Sequence, residues 1–461
     1  MFGLAPAASG ERVTSAPDVT PAPVTAPVGT LVPNIACVSD PTQTYTLYLP
    51  PGYTTDRRWP ALLIFDPRGR SEHAAELFRP AAEAYGWILL SSDNTRSDGP
   101  MAPNHRALAA LWPEVSWRYS TDPRRLYAAG FSGGAHFAWM LGRGTGGLAG
   151  VIGSSGRRLP EFLEGTDFAM FGTAGTMDFN YRGMLAVDEL LAGQGNPHRF
   201  EVFDGSHQWL PPDLAMTAVG WLEFEAMKSG RRAVDPEMVE RLFVEDLAAA
   251  RELEAADHLV DAERRYEAIA RTFDGLRPVD VVRAAAQRLA DSSVFKAARD
   301  EQDHWLRYEE GYLKELFGLA AELREWIAPV PLAKALQRLR ISQLRQWADG
   351  ESVRAVTARR LLATAFTQTS FYLMRDFFAA EDFHRAALVL EIAITIRPDD
   401  ARSWYNLACA RARARRTGPA LDALETAIDL GFDRHSQIEN DSDLESLRGH
   451  KRLHELLSRT R

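Results

Sequence analysis

Cysteine is nearly missing from this chain, with only Cys37 and Cys409 among 461 residues. The two fall in stretches of different composition, so no disulfide framework can hold the fold and each reads as a free thiol. Basic residues are outnumbered, 53 Lys and Arg against 62 Asp and Glu, which leaves a net charge of -9. Without a basic surplus there is no phosphate-tracking surface, and nucleic acid is not an expected partner. Long apolar runs are missing too. Strand-like ones such as Ala61-Leu62-Leu63-Ile64-Phe65 stop far short of the ~18–20 residues a membrane span needs. No Gly-rich phosphate loop occurs, and neither cofactor nor metal is expected. His450 and His454 share a helical face, but with no third ligand they read as surface histidines. The run Arg411, Arg413, Arg415, Arg416 reads as a solvated charge cluster complementing a helix C-terminus.

What is present is a globular composition, 46% apolar and 25% charged, on a length that allows two or three domains. Residues 14–33 are rich in Pro, Thr, Val and Ala, with prolines at 17, 21, 23, 27 and 33. Such a tract does not pack a core, so residues 1–34 are assigned to a flexible leader. The reading favours an exported protein, secreted or held in the cell envelope, with its signal segment absent from this chain. A loose tail on a cytoplasmic protein is the alternative.

From residue 44 to about 230, short apolar runs alternate with helical periodicity. Strands are expected at 45–49, 61–65, 87–91, 125–130, 149–153, 168–172 and 200–203. Helices are expected at 74–85, 105–117, 134–142, 183–192 and 213–228. That alternation predicts an α/β fold, a mostly parallel sheet covered on both faces, over residues 35–232. Chemistry in such sheets gathers at the carboxyl ends of the strands.

Beyond Gly230 the strand signal stops, and 233–461 reads as all-helical. Ala386, Leu390 and Ala393 recur 34 residues on as Ala420, Leu424 and Ala427. The period resembles tetratricopeptide repeats, clearest over 367–434, with a weaker copy near 243–276 around Ala262 and Tyr266. The stretch 280–365 is helical without a repeat that can be phased, and DSDLESLRGHKRLHELL resembles a capping helix. The resemblance implies a protein or peptide partner, or self-association, for this half.

The segment RLYAAGFSGGAH runs from an expected strand into Gly130-Phe131-Ser132-Gly133-Gly134. Glycines around one serine fit a strand-to-helix turn too sharp for neighbouring side chains. The same sheet edge presents Asp178, in the loop after the 168–172 strand, and His207, after the 200–203 strand; Asp167 and His198 precede those strands. Asp204 competes with Asp178 as the acid. A hydroxyl becomes a nucleophile when an imidazole takes its proton and a carboxylate orients that imidazole, so Ser132, His207 and Asp178 are the expected catalytic residues. Their oxyanion needs two donors. The expected ones are the N–H of Gly133 and, because Pro67 has none, that of Arg68. Phe131 and Trp209 are expected to line the substrate pocket, while His136 reads as structural.

With TYTLYLPPGY, GFSGGA, GTMD and SHQWLPP, residues 44–230 resemble serine esterases of the α/β-hydrolase superfamily. The likeness is to the branch with polyhydroxyalkanoate-depolymerase-like and feruloyl-esterase-like enzymes, and more distantly to dienelactone hydrolases and prolyl oligopeptidases. It departs from dienelactone hydrolases in its serine nucleophile, and from the depolymerases in its few cysteines and helical C-terminal half. What it implies is hydrolysis of a carboxylic ester, small-molecule or polymeric, through an acyl-enzyme, with bulky, aromatic and polymeric esters among the expected substrates. The rival readings are a serine peptidase and a repeat scaffold with a vestigial hydrolase domain. Little sequence separates the 149–153 and 168–172 strands, where lids are commonly inserted, so an open site is expected unless the helical half covers it.

Overall fold

The computed structural model describes residues 26–145, 147–156, 167–325 and 330–458. Most of the expected leader, residues 1–25, lies outside the described residues.

The apolar segments assemble into one eight-stranded sheet. Its strands are β1 (Leu31–Ala36), β2 (Thr44–Tyr48), β3 (Trp59–Phe65), β4 (Ile88–Ser92), β5 (Thr121–Phe131), β6 (Gly150–Ser154), β7 (Ala169–Gly175) and β8 (His198–Phe203). They lie in the order β1-β2-β4-β3-β5-β6-β7-β8. β2 runs antiparallel to both its neighbours, and every other pair is parallel. β3, β4, β6 and β7 are buried along their whole length, as strands covered on both faces must be.

Five helices supply the cover: α1 (Ser71–Tyr85), α2 (Ala102–Trp117), α3 (Gly133–Thr145), α4 (Tyr181–Gln194) and α5 (Pro212–Lys228). Side chains alternate across the pleat. Ala61, Leu63 and Phe65 join the core shared with α2, α3 and α4, whereas Leu62 and Ile64 join that shared with α1 and α5. This mostly parallel sheet between helical layers is consistent with the α/β-hydrolase fold.

One boundary differs from expectation. β1 begins at Leu31, inside the stretch assigned to the leader, and pairs with Tyr48 of β2. Pro33 is tolerated because β1 is an edge strand, where a missing N–H need not break a ladder.

The remaining described elements are helical. α6 (Pro236–Ala255), α7 (Leu259–Phe273) and α8 (Asp280–Asp291) close a core with the end of α5. α9 (Ser293–Glu325) then leads away through 33 residues to a second, larger core. That core contains α10 (Leu332–Arg338), α11 (Ile341–Trp347), α12 (Val353–Thr367), a π-helical turn (Gln368–Leu373) and α13 (Met374–Ala379). It continues through α14 (Phe383–Ile396), α15 (Ala401–Arg413), α16 (Thr417–Asp429), α17 (His435–Asn440), a 3-10 turn (Ser442–Leu447) and α18 (Lys451–Ser458). The internal repeat is visible as helices starting 34 residues apart, at Phe383 and Thr417. Its alanines, Ala386, Ala393, Ala420 and Ala427, are fully buried, which lets adjacent helices approach closely. Cys37 and Cys409 are both buried and unpaired. No described helix is long and apolar enough to cross a membrane.

Candidate active site

β5 carries the chain to Ser132, which takes a left-handed φ of 54° before α3 begins. The flanking glycines are sterically required. A Cβ on Gly130 would lie 2.1 Å from the Gly134 carbonyl oxygen, and one on Gly134 would lie 2.0 Å from that of Phe65. A side chain at Gly130 would push the start of α3 off β5, and one at Gly134 would push it off β3. The N–H of Ser132 donates to the Ser154 carbonyl of β6, at 2.9 Å, which fixes the turn to the sheet.

The loops after β7 and β8 bring the other two groups in. Met177 N–H donates to the Gly205 carbonyl and Thr176 N–H to that of Phe203, each at 2.9 Å, so the two loops are stitched together. His207 Nδ1 lies 2.9 Å from Asp178 Oδ1, and His207 Nε2 lies 3.0 Å from Ser132 Oγ. A carboxylate only accepts, so Nδ1 carries the proton and Nε2 is free to accept from the serine hydroxyl. Asp178 is fully buried, and its Oδ1 also accepts from the Asn180 N–H at 2.7 Å. Asp204 is exposed and accepts from the Thr176 hydroxyl, so it is not the partner of His207. His198 sits at the start of β8 against the Asn196 carbonyl, away from this relay.

The Gly133 N–H is the first amide of α3 and has no carbonyl one turn earlier, which leaves it free to meet an oxyanion. Arg68 does not fulfil its expected part. Its N–H donates to Asp66 Oδ1 at 2.8 Å and is thereby already engaged. The cause is Asp66, fully buried at the end of β3 and in need of donors. It also collects the Arg70 N–H, the Arg70 guanidinium and, at 2.8 Å, the Trp209 indole N–H. Burial alone would push its carboxyl up, but the hydrogen bonds from Arg70, Trp209 and the Arg68 amide win and hold it below the usual carboxylate range.

A pocket of about 360 Å³ opens beside Ser132. Phe131 and Trp209 are among the residues that line it, the Phe131 ring 4.7 Å from the imidazole of His207. Phe179 covers the imidazole more closely, at 4.0 Å between ring centres. Its position next to Asp178 was the available sequence clue. The helical half reaches this pocket, which is the condition under which an open site was not expected. Thr367 at the end of α12, with Phe371 and Tyr372 of the π-helical turn, forms the opposite wall. Tyr372 meets Phe179 edge-on at 6.5 Å, and Arg375 donates to the Asp98 carbonyl at 3.0 Å. No motif in the sequence connected these helical residues with the elbow.

Among the described residues, one group has ligand atoms close enough to hold a cation: Cys409, Asp441 and Asp443. Its members already have partners, with Tyr405 donating to Asp441 and Arg413 paired to Asp443, and burial keeps the thiol protonated.

Several solved structures are similar to part of the chain. A ferulic acid esterase matches 39% of this chain and 91% of its own, at 16% identity and a TM-score of 0.33. Est1E from Butyrivibrio proteoclasticus matches 40% and 95%, at 12% identity and 0.34. An S-formylglutathione hydrolase from Staphylococcus aureus matches 42% and 98%, at 13% identity and 0.35. No family model and no curated protein matches the chain.

Proposed function

We propose that the chain is a serine hydrolase cleaving small carboxylic esters through an acyl-enzyme, with Ser132 as nucleophile, His207 as base and Asp178 as orienting acid. The carrying observation is the unbroken relay Ser132 Oγ, His207 Nε2, His207 Nδ1, Asp178 Oδ1, with both contacts at hydrogen-bond length. Ser132 Oγ attacks the ester carbonyl while its proton passes to His207 Nε2. The negative charge moves to the carbonyl oxygen, where the Gly133 N–H stabilises it. Buried Asp178 stabilises the imidazolium. His207 then returns the proton to the leaving alkoxide as the C–O bond breaks, and a water repeats the sequence to release the acid.

The bounded pocket favours a small ester over a polymer. Its volume lies near the lower end of the ~300–1,000 Å³ range of small-molecule sites, and the π-helical turn forms one wall. Hydrolysis of p-nitrophenyl acetate and butyrate tests the reading, alongside a matched p-nitroanilide. Ester turnover that disappears in Ser132→Ala, together with fluorophosphonate labelling of Ser132, is the expected result. Anilide turnover exceeding that of the ester would replace the esterase with a peptidase. Ester turnover surviving in Ser132→Ala would remove the nucleophile assignment.

A further inference from the structure

Arg360 lies on α12, 184 residues from Thr176, and is only 4% exposed. Its Nε and Nη2 donate to the two oxygens of Glu309 on α9, at 2.8 and 2.6 Å, and Glu309 is also buried. The remaining donor crosses to the sheet side, where Nη1 donates to the Thr176 carbonyl at 2.8 Å. The same guanidinium lies 4.2 Å over the ring of Tyr181. Thr176 and Tyr181 bracket Asp178 in the chain, and the Tyr181 N–H donates to the Asp178 carbonyl. The helical half therefore grips the acid-bearing loop on both sides of the acid itself.

A buried ion pair is a poor way to stabilise a helical core, because apolar residues of similar volume often do as well or better. The pair between Arg360 and Glu309 sits at the margin of a core otherwise closed by Leu, Ala and aromatic side chains. What it adds is a fixed donor aimed at the catalytic loop. That loop needs outside support. Asp178 Oδ1 takes both His207 and the Asn180 amide, while Oδ2 is buried with no hydrogen-bond partner. The orientation of the carboxylate therefore depends on where the backbone from Thr176 to Tyr181 is held.

We infer that Arg360 is a positioning residue for the Ser132–His207–Asp178 relay, holding the Asp178 loop through the Thr176 carbonyl and the Tyr181 ring. The inference rests on the esterase reading and makes the helical half a working part of the active site. A displacement of about 1 Å at a catalytic group costs on the order of a hundredfold in rate. Arg360 itself does not line the pocket, and Phe179 is the one residue of the held loop that does, so the loss falls chiefly on kcat.

The test replaces the whole pair. In Arg360→Met/Glu309→Leu no buried charge is left alone, so the full chain is expected to fold and melt near the wild-type temperature. Its kcat for p-nitrophenyl butyrate is expected to fall tenfold to about a hundredfold, with KM within about twofold. Arg360→Lys keeps a charge for Glu309 and a donor within reach of Thr176, and is expected to retain more of kcat than the double variant. Tyr181→Leu approaches the contact from the sheet side without touching the helical core, and is expected to lower kcat alone. Wild-type kcat in the folded double variant, or in Tyr181→Leu should the double variant not fold, overturns the inference. So does a loss of kcat that only follows a loss of folded protein. Wild-type protein that turns over no ester and leaves Ser132 unlabelled sinks the esterase reading itself, whereas active wild type beside an equally active double variant sinks only the role of Arg360.

Discussion

Gly134→Ala puts the elbow geometry under direct strain. The added Cβ would sit 2.0 Å from the Phe65 carbonyl oxygen, where ordinary contact begins at 3.4 Å, so α3 must retreat by about 1.4 Å. Phe65 yields little, because it closes the buried central strand β3 and pairs there with Gly130 of β5. The displacement passes to Ser132 two residues earlier, already held at positive φ. Overpacking of this kind costs about 1–3 kcal/mol of stability. A shift of about 1 Å at Ser132, the proposed nucleophile, lowers the rate by roughly a hundredfold. The control is on the same helix: a Cβ on Gly144 meets nothing within 4 Å. Gly144→Ala should therefore keep full activity and gain about 0.5–1 kcal/mol from reduced backbone entropy. Thermal melts and ester kinetics on the two variants decide the matter. Wild-type kcat and melting temperature in Gly134→Ala would show that the glycine-rich turn is not what places Ser132.

Asp178→Asn should lower kcat by about 10⁴, because the asparagine cannot hold the imidazole in the required tautomer, while Asp204→Asn should leave it unchanged in the same assay. Tyr372→Ala removes part of the helical wall and should raise the kcat/KM ratio of p-nitrophenyl octanoate to acetate about tenfold; an unchanged ratio would mean the acyl chain runs elsewhere. Asp246 bridges α6 to β8 through Arg199 and also pairs with Arg265. Burial alone would push its carboxyl up, but the two guanidinium groups overcome this and bring it down to about 2. Because the folded value lies below the ordinary one, the pair stabilises the fold above about pH 4, by roughly 2 kcal/mol, and that contribution is lost as pH falls towards 2. Melting temperatures of Asp246→Asn and wild type should therefore differ at pH 7 and converge in acid.

Much of the proposed active site was legible in local sequence rules. A serine enclosed by glycines after an apolar run is a statement about a few dihedral angles, and Ser132 at positive φ with Gly130 and Gly134 against backbone meets it. The side of the sheet on which Asp178 and His207 lie followed from their coming after strands, since parallel strands all point one way. Alternation along β3 determined which residues enter which core. The start of the sheet was misread because proline suggests a tether, and sequence does not say whether a strand will be an edge.

Tertiary structure alone decided what the loops and helices do for one another. The Arg68 amide points where it does because buried Asp66 also binds Trp209, 143 residues further along the chain. Arg360, Phe371 and Tyr372 reach the relay from helices whose amphipathic pattern marks a face for burial but not the surface it will meet. Periodicity is a property of one segment and can be read from it. A contact between distant segments depends on the shape of both after packing, and that shape made the helical half a wall of the pocket beside Ser132.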